Sequence, residues 1–292
     1  MVSGVQQALD LLARILLKPG DAVWMEDPGY FGASIAFENA GARIAPVPVD
    51  GSGIDVAAGI RKARAAKGAY VTPAHQFPLG LTMPLERRMA LLQWASNAGT
   101  FIIEDDYDSE FRFEGRPVPV LQSLDRASNV IVTGSFNKLL FPSLRIGYIV
   151  APPLLADFIV AFRHGTDFRS RSFDHAVLCD FIEGGHLARH LRRMRKLYAA
   201  RLDCLLEAGR KQLGGVLEIS SVRAGLYTTA KLINGMTSRQ AEAAARSAGV
   251  EALALDRYTF QAKDPGGLLL GFAGFDERQI RDAASRLSRA LR

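Results

Sequence analysis

The chain has 292 residues, of which 48% are hydrophobic and 23% are charged, and its formal net charge is +6. A chain of this length and composition can bury one large core, or one core and a small satellite domain, which excludes a disordered protein. No apolar run approaches the roughly 20 residues of a membrane-spanning helix. Asp10 and Arg14 interrupt the apolar stretch 9–17, which argues against a signal peptide. We therefore expect no membrane partner.

Helix and strand patterns alternate through the first 150 residues. The predicted helices cover 6–17, 32–39, 56–66 and 85–98, and the predicted strands cover 22–25, 44–49, 69–72, 100–103, 130–133 and 146–150. Several of these strands are continuous apolar runs, as expected where helices cover both faces of a sheet. The pattern predicts an α/β fold with a mostly parallel sheet covered by helices on both faces.

Helices dominate after Pro152, and a mixed pattern follows. The predicted elements are a helix at 154–164, a long bent helix at 174–208 interrupted at 184–185, strands near 216–220, 226–232 and 268–272, and helices at 238–247 and 277–291. We predict a large domain over residues 1–165. A connecting helix and a small C-terminal α+β domain then fill residues 166–292.

Much of the positive charge lies in the segment 189–196. Leu191, Met194 and Tyr198 follow helical spacing there, which predicts an amphipathic helix with a basic, solvated face. No helix-turn-helix, zinc finger or stacking platform accompanies it in the sequence. We therefore expect no specific nucleic-acid binding by this chain alone.

Metal and thiol chemistry have little support in the sequence. His186 and His190 are four residues apart but have no third ligand, so no metal site is predicted. Cys179 and Cys204 lie in apolar, helix-patterned surroundings. We expect reduced core thiols in a cytoplasmic protein.

Two turns could present polar groups to a ligand. Ser3, Gly4 and Val5 open the first helix, where free backbone N–H groups suit an anion such as phosphate, although Ser and Gly also serve as ordinary N-caps. The turn 27–30 follows a strand and presents the ring of Tyr30. No glycine pattern of the dinucleotide-binding kind follows a strand, which argues against a nicotinamide enzyme.

The strand at 100–103 ends in the acidic segment 104–108. Magnesium binding is one interpretation, but consecutive side chains of a strand point to opposite sides and cannot all converge. Asp105 and Tyr107, two residues apart, form the simpler inward-facing pair. A solvated acidic loop remains the alternative for the other carboxylates.

The strand at 130–133 leads into Ser135 and Lys138. A lysine at a strand end is usually a surface residue, but Lys138 lies among glycine, serine and apolar residues that could desolvate its amine and lower its pKa. A neutral lysine of this kind is a nucleophile toward carbonyl groups. Arg145, seven residues further on, could reach an anion.

Taken together, these segments resemble the class I/II aminotransferases, which are fold-type-I pyridoxal-phosphate proteins, and most of all the effector domain of MocR-type regulators of the GntR superfamily. The motifs that carry the resemblance are Ser-Gly-Val-Gln-Gln-Ala at 3–8, Glu-Asp-Pro-Gly-Tyr at 26–30, His-Gln-Phe-Pro-Leu-Gly at 75–80, Glu-Asp-Asp-Tyr-Asp-Ser-Glu-Phe at 104–111 and Gly-Ser-Phe-Asn-Lys at 134–138, with Arg145 downstream. They extend over nearly the whole chain.

The resemblance implies pyridoxal 5'-phosphate as the cofactor and gives each residue a role. Lys138 would form the internal aldimine and later move a proton. Asp105 would pair with the pyridinium nitrogen. Tyr107 would hydrogen-bond the ring hydroxyl, and Tyr30 would stack on the ring. The phosphate would be held by the helix start at Ser3, Gly4 and Val5, by Ser135 and by Arg145.

Three positions depart from the family pattern. Val5 replaces a hydroxyl residue that often binds phosphate, and Phe77 replaces the Asn of an Asn-Pro pair. Leu269 stands where we expect the arginine that binds the substrate carboxylate. Arg116, Arg169 or Arg171 could substitute for that arginine from a loop. The departure at Leu269 argues against efficient transamination of amino acids.

Two functions therefore compete. The first is a transaminase that acts on amino acids or related amines. The second is the ligand-sensing domain of a MocR-type transcriptional regulator, whose winged helix, linker and first aminotransferase segment are expected to be missing from a chain that begins at the phosphate-binding helix. Either function implies a small amine or amino-acid ligand, and the family resemblance implies a homodimer.

Overall fold

The computed structural model describes residues 1–115, 117–167 and 172–292, which form two compact units. The first unit comprises Met1–Phe77, Leu81–Asp108 and Val118–Ala188. Its helices are α1 (Val5–Leu16), α2 (Phe31–Asn39), α3 (Val56–Lys62), α4 (Leu85–Ala98), α5 (Pro153–Thr166) and α6 (Ser172–Glu183). Its strands are β1 (Ala22–Asp27), β2 (Arg43–Asp50), β3 (Gly53–Ile54), β4 (Gly68–Val71), β5 (Phe101–Asp106), β6 (Val130–Ser135) and β7 (Gly147–Val150).

The strands of the first unit form a seven-stranded sheet in the order β3-β2-β1-β4-β5-β6-β7. The pairs β2-β1, β1-β4, β4-β5 and β5-β6 are parallel, whereas β3 and β7 pair antiparallel at the two edges. The predicted α/β fold with a mostly parallel sheet is confirmed. Because β1, β4, β5 and β6 run in the same direction, their carboxyl ends lie along one edge of the sheet, where ligands bind in such folds.

Burial on both faces of the sheet explains why β1, β4, β5 and β6 contain continuous hydrophobic runs. All six residues of β1 are buried, as are all six of β6. On one side of the sheet the rings of Trp24 and Trp94 stack at a centroid distance of 3.7 Å. Burial of rings of this size stabilises the fold strongly, since each contributes about 150–250 Å² of buried surface. Helix α4 ends at Gly99, whose φ of 60° is readily adopted by glycine.

The second unit comprises Pro78–Gly80, Ser109–Pro117 and Arg189–Arg292. Helix α7 (His186–Gln212) leads into it, followed by β8 (Leu217–Ile219), β9 (Tyr227–Leu232), α8 (Ser238–Ser247), β10 (Leu253–Ala254), β11 (Gly267–Gly271) and α9 (Glu277–Ala290). The four strands form an antiparallel sheet in the order β10-β11-β9-β8. Capping boxes fix the starts of α8, through Thr237 and Gln240, and of α9, through Asp276 and Gln279.

Some sequence predictions need correction. The long bent helix is two helices, α6 and α7, that are separated at Gly184 and Gly185. Cys204 is buried as expected, but Cys179 is exposed, because the apolar residues of α6 around it, such as Phe173 and Val177, are themselves exposed. Strands β3 and β10 were missed because two residues carry no detectable periodicity. In the part of the chain described, no helix is long and apolar enough to cross a membrane.

Candidate functional site

A cavity of about 280 Å³ opens in the first unit at the carboxyl ends of the central strands. All nine residues that the sequence singled out for a cofactor line it: Ser3, Gly4, Val5, Tyr30, Asp105, Tyr107, Ser135, Lys138 and Arg145. It is also lined by five residues without a predicted cofactor role: Gln6, Tyr70, Thr72, Phe77 and Asn137. The fold therefore brings together segments from residue 3 to residue 145.

One end of the cavity is formed by the start of α1. Val2 and Gly147 exchange two backbone hydrogen bonds of 2.9 and 2.7 Å, which fix the segment leading into the helix. Gly4 is the N-cap, with a φ of 117°, a conformation that residues with a side chain rarely adopt. No side chain caps the helix, so its first N–H groups remain available to a ligand.

Arg145 lies at the same cavity and follows the 3-10 turn Pro142–Leu144. Its side chain is exposed, and no carboxylate in the described ranges pairs with it. An uncapped helix N-terminus and an unpaired guanidinium are both strong binders of phosphate oxygens. This end of the cavity is therefore suited to a phosphate group.

Hydrogen bonds between side chains and the backbone hold the loop that carries Lys138. The hydroxyl of Ser135 accepts a hydrogen bond from the Asn137 backbone N–H at 3.1 Å. The side-chain oxygen of Asn137 accepts one from the Ile146 N–H at 3.0 Å. Asn137 therefore holds the lysine loop against the segment that carries Arg145. No role for Asn137 was predicted, because a loop asparagine carries no periodic signal.

The amine of Lys138 lies above the ring of Tyr107, with Nζ 4.0 Å from the ring centroid. The lysine side chain as a whole is exposed, but its amine is packed among protein atoms. This burial lowers the pKa of Lys138 below the ordinary 10.5, and the nearby carboxylates of Asp108 and Asp105 oppose the shift. The amine is thus neutral more often than that of a surface lysine, as a nucleophile requires.

Asp105 is 4% exposed and directs its two carboxylate oxygens differently. Oδ2 accepts a hydrogen bond of 2.6 Å from the hydroxyl of Tyr70. Oδ1 is buried and has no hydrogen-bond partner. Burial raises the pKa of Asp105 to about 6, while the Tyr70 hydrogen bond and the Lys138 charge oppose the rise. The carboxyl is therefore ionised at neutral pH and has one free acceptor oxygen.

The other carboxylates of the segment 104–108 contact different groups. Glu104 points to the opposite side of β5 from Asp105 and accepts the backbone N–H groups of Leu121 and Gln122, at 2.7 and 3.1 Å. Burial raises its pKa to about 7. Asp108 is buried and lies 3.0 Å from Nδ1 of His75. A solvated acidic loop is thus wrong for Glu104 and Asp108, and the residues described contain no metal-binding cluster of three or more His, Cys, Asp or Glu.

Aromatic rings wall the other side of the cavity. Phe77 packs edge-on against Tyr30 and Tyr107, at centroid distances of 5.9 and 6.3 Å. The Tyr30 hydroxyl lies 3.4 Å from Oε1 of Gln6. A side chain at Gly32 would come within 2.5 Å of the Tyr30 ring, so glycine leaves room for that ring. These rings provide an apolar surface for a flat ligand.

Leu269 lies on β11 of the second unit, opposite Thr229 of β9 and Leu253 of β10. It is partly exposed, whereas Leu268 and Leu270 face the core. The three arginines considered as substitutes, Arg116, Arg169 and Arg171, lie outside the described residues.

The residues of the cavity fit pyridoxal phosphate. The free Oδ1 of Asp105 matches a protonated ring nitrogen, which needs a charged acceptor. The uncapped start of α1 and Arg145 match a phosphate. The Lys138 amine matches an aldehyde, and the aromatic walls match the ring faces.

Comparison with known proteins relates this chain to aminotransferases and to regulators that resemble them. The profile of the family described as Aminotransferase class I and II matches residues 1–287. The chain is 41% identical over 291 residues to the probable rhizopine catabolism regulatory protein MocR of Rhizobium meliloti, an alignment that covers 100% of this chain and 59% of that protein. It is 29% identical over 297 residues to aromatic-amino-acid aminotransferase 1 of Thermococcus litoralis, covering 99% of this chain and 71% of that enzyme.

Solved structures of aminotransferases superpose closely on this chain. Kynurenine aminotransferase of Pyrococcus horikoshii, solved with PMP, is 30% identical with a TM-score of 0.90, over 99% of this chain and 73% of that one. Alpha-aminoadipate aminotransferase of Thermus thermophilus, complexed with N-(5'-phosphopyridoxyl)-L-leucine, is 28% identical with a TM-score of 0.90, over 99% of this chain and 76% of that one.

The first curated relatives are longer than this chain, which spans 58–60% of their length. Among them are MocR of Rhizobium meliloti and two HTH-type transcriptional regulators of Bacillus subtilis, YhdI and YdeL. The resemblance to MocR-type regulators and to aminotransferases is thus confirmed together with the fold. The chain belongs to the class I and II aminotransferase family.

Proposed function

We propose that this chain binds pyridoxal phosphate covalently through Lys138 and acts on the amino group of amino acids or related amines. The observation that carries the proposal is that one cavity is lined by the Lys138 amine, the free oxygen of Asp105 and the uncapped start of α1. These are the three groups that an aldehyde, a pyridinium and a phosphate require.

Different residues would hold the phosphate, the ring nitrogen and the ring face of the cofactor. Backbone N–H groups at Gly4 and Val5 and the hydroxyl of Ser3 would bind the phosphate together with Arg145 and Ser135. The Ser3 N–H itself donates to Oε1 of Gln7 at 2.6 Å. Asp105 would keep the ring nitrogen protonated, and the bound cofactor then supplies an electron sink for the bond that breaks in the substrate. The rings of Tyr30 and Phe77 would exclude water from the face of the cofactor.

Lys138 would also transfer a proton once the substrate has displaced it from the cofactor. Its free amine accepts and returns a proton at Nζ, which needs a pKa below that of a surface lysine. Burial supplies this lowering, while Asp105 and Asp108 keep it moderate. The face of the Tyr107 ring, 4.0 Å from Nζ, supports the protonated form through a cation–π contact.

Borohydride reduction followed by peptide mapping tests the covalent assignment. We expect a pyridoxyl adduct on Lys138 in the wild-type chain and none in Lys138→Ala. A matched control is Lys196→Ala, which removes an exposed lysine of α7 and should leave the adduct unchanged. An adduct on another lysine, or its absence from the wild type, would refute the proposal.

A second candidate function is a ligand sensor that joins a DNA-binding domain in a longer protein. It is favoured by the 41% identity to the regulatory protein MocR and by Leu269 at the position where the family resemblance places a carboxylate-binding arginine. A sensor binds its amine without turning it over. Single-turnover spectra distinguish the two functions: a transaminase converts the cofactor completely, whereas a sensor reaches a stable amine-bound spectrum.

We also propose that the first unit forms a homodimer. Helices α5 and α6 expose large apolar side chains: Leu154, Phe158, Val160, Phe173, Val177 and Ile182. Leu154 is 90% exposed and Phe173 79%, which is unusual for residues that gain free energy from burial. Light scattering should give twice the mass of 31.8 kDa, and Leu154→Glu with Phe158→Glu should give the monomer.

A further inference from the structure

We propose that Tyr70 is a positioning residue that orients Asp105, so that one carboxylate oxygen alone is presented to the ring nitrogen of the cofactor. The inference rests on the proposed function, because it assigns Asp105 to that nitrogen. Tyr70 has no role in the sequence-based assignment.

The geometry of the pair is set by the register of the sheet. Tyr70 lies on β4 beside Ile103 of β5, and Asp105 lies two residues further along β5, toward its carboxyl end. The Tyr70 hydroxyl donates to Oδ2 of Asp105 at 2.6 Å, a length typical of a strong bond to a charged acceptor. A phenol has one proton, so Tyr70 donates to Oδ2 alone, and Oδ1 remains the buried oxygen without a partner.

The ring of Tyr70 is itself fixed. It is fully buried and packs edge-on against Phe37 at 6.2 Å and beside Tyr30 at 6.5 Å. Its hydroxyl therefore cannot swing away from Asp105 without moving both neighbours. A rigid donor on one side of the carboxylate prevents it from rotating and from binding the cofactor through the wrong oxygen.

The charges around Asp105 make this donor important. The titratable groups that face it are Tyr70 on β4, Glu26 on β1, Tyr30 after β1, Lys138 after β6, and Asp106 and Asp108 on its own segment. Three of these are carboxyl groups, and burial already raises the pKa of Asp105 to about 6. Without the Tyr70 hydroxyl, the carboxyl would take up its proton at a higher pH and would lose its hold on a protonated ring.

The test is the cofactor dissociation constant, followed by absorbance between pH 5.5 and 9. Tyr70→Phe should weaken binding about tenfold near pH 7 and much less at pH 9, because the hydrogen bond matters most where Asp105 titrates. A cavity or folding defect would weaken binding by the same factor at every pH. Tyr227→Phe, which alters a buried phenol of the second unit, is the matched control and should change nothing.

A second variant keeps the hydroxyl and the fold. Replacement of Tyr70 by 3-fluorotyrosine makes the phenol a stronger donor, so the acid limb of the binding profile should move to lower pH, opposite to Tyr70→Phe. An unchanged limb in the fluorotyrosine protein, or a pH-independent loss in Tyr70→Phe, would overturn the inference. Absence of a borohydride-reduced adduct on Lys138 in the wild type would refute the proposed function. An adduct on Lys138 together with unchanged acid limbs in the Tyr70 variants would refute only the role of Tyr70.

Discussion

The hydroxyl of Tyr107 donates to the backbone carbonyl oxygen of His75 at 2.7 Å. The phenol has one proton, so while this bond persists its oxygen can accept from a ligand but cannot donate to one. Phe77, where the family resemblance expects an asparagine, has no donor either. The expected hydrogen bond between Tyr107 and the cofactor ring hydroxyl stays a prediction, and with the bond to His75 in place Tyr107 would accept in it rather than donate.

Substitutions at Tyr107 distinguish the contribution of its ring to cofactor binding from that of its hydroxyl. Tyr107→Phe should weaken cofactor binding by less than about tenfold, since the proton is engaged with His75. Tyr107→Leu should weaken it by a further fivefold or so, because Lys138 loses the ring face beneath its amine. Cofactor titration by absorbance measures both effects. A larger loss in Tyr107→Phe would show that the hydroxyl turns toward the cofactor.

We expect Asp105 to bind the ring nitrogen of the cofactor without the help of a metal ion. Asp105→Asn removes the charge but keeps the shape, so cofactor affinity should fall roughly 10- to 100-fold, as expected for loss of a charged hydrogen bond. EDTA should leave the absorbance of the bound cofactor unchanged. Asp203→Asn, which alters an exposed carboxylate of α7, serves as the control for the loss of one charge. Release of the cofactor by EDTA would reverse this assignment.

Glu26 should make the folded state less stable as the pH rises. Its carboxyl is fully buried, and burial raises its pKa from 4.5 to about 7 despite hydrogen bonds from Thr72. The folded state then keeps a proton that the unfolded chain releases, so the free energy of unfolding falls between about pH 4.5 and 7 and the loss is complete above that range. The penalty amounts to about 3 kcal/mol.

Glu26→Gln removes this titration. The variant should gain stability relative to the wild type at pH 8, and less or none at pH 5, in urea unfolding experiments. Glu86→Gln, at an exposed position of α4, is the control and should show no such pH dependence. Equal differences at the two pH values would show that Glu26 is not protonated in the folded protein.

Leu269 should limit the affinity for amino-acid carboxylates. A desolvated charge-assisted pair contributes about 2–5 kcal/mol, so Leu269→Arg should strengthen the binding of α-amino acids about 30-fold or more. Leu253→Arg, on the neighbouring strand directly opposite, is the matched control and should give no gain. Stopped-flow absorbance across a panel of amino acids provides the measurement. Rapid, saturable conversion by the wild type at submillimolar substrate would show that another group binds the carboxylate.

DNA binding by this chain should be weak and non-specific. Arg192, Arg193 and Lys196 are exposed on α7, and such a face can attract phosphates without reading sequence. Affinity should be micromolar or weaker at physiological salt and should fall steeply as salt rises. Fluorescence anisotropy with two unrelated duplexes should give equal affinities. A sequence-selective footprint would contradict this expectation.

Local sequence was enough to predict most elements and the residues around the cavity. Alternation of apolar runs and helical periodicity predicted the parallel sheet, because those patterns follow directly from burial on both faces. Lys138, Asp105 and Arg145 stood out because each polar group follows an apolar strand or turn. The resemblance of the motifs to one family then supplied the cofactor.

Tertiary structure alone decided how those residues are paired. Tyr70 and Asp105 are 35 residues apart, and only the alignment of β4 with β5 brings the hydroxyl to the carboxylate. The same holds for His75 and Asp108, and for Glu104, whose burial depends on the chain at Leu121 folding back over it. Periodicity is a local property of the chain, whereas the partner of a buried polar group is set by strand register and loop path. The sequence therefore determined which residues are candidates, and the fold determined which of their atoms remain free for a ligand.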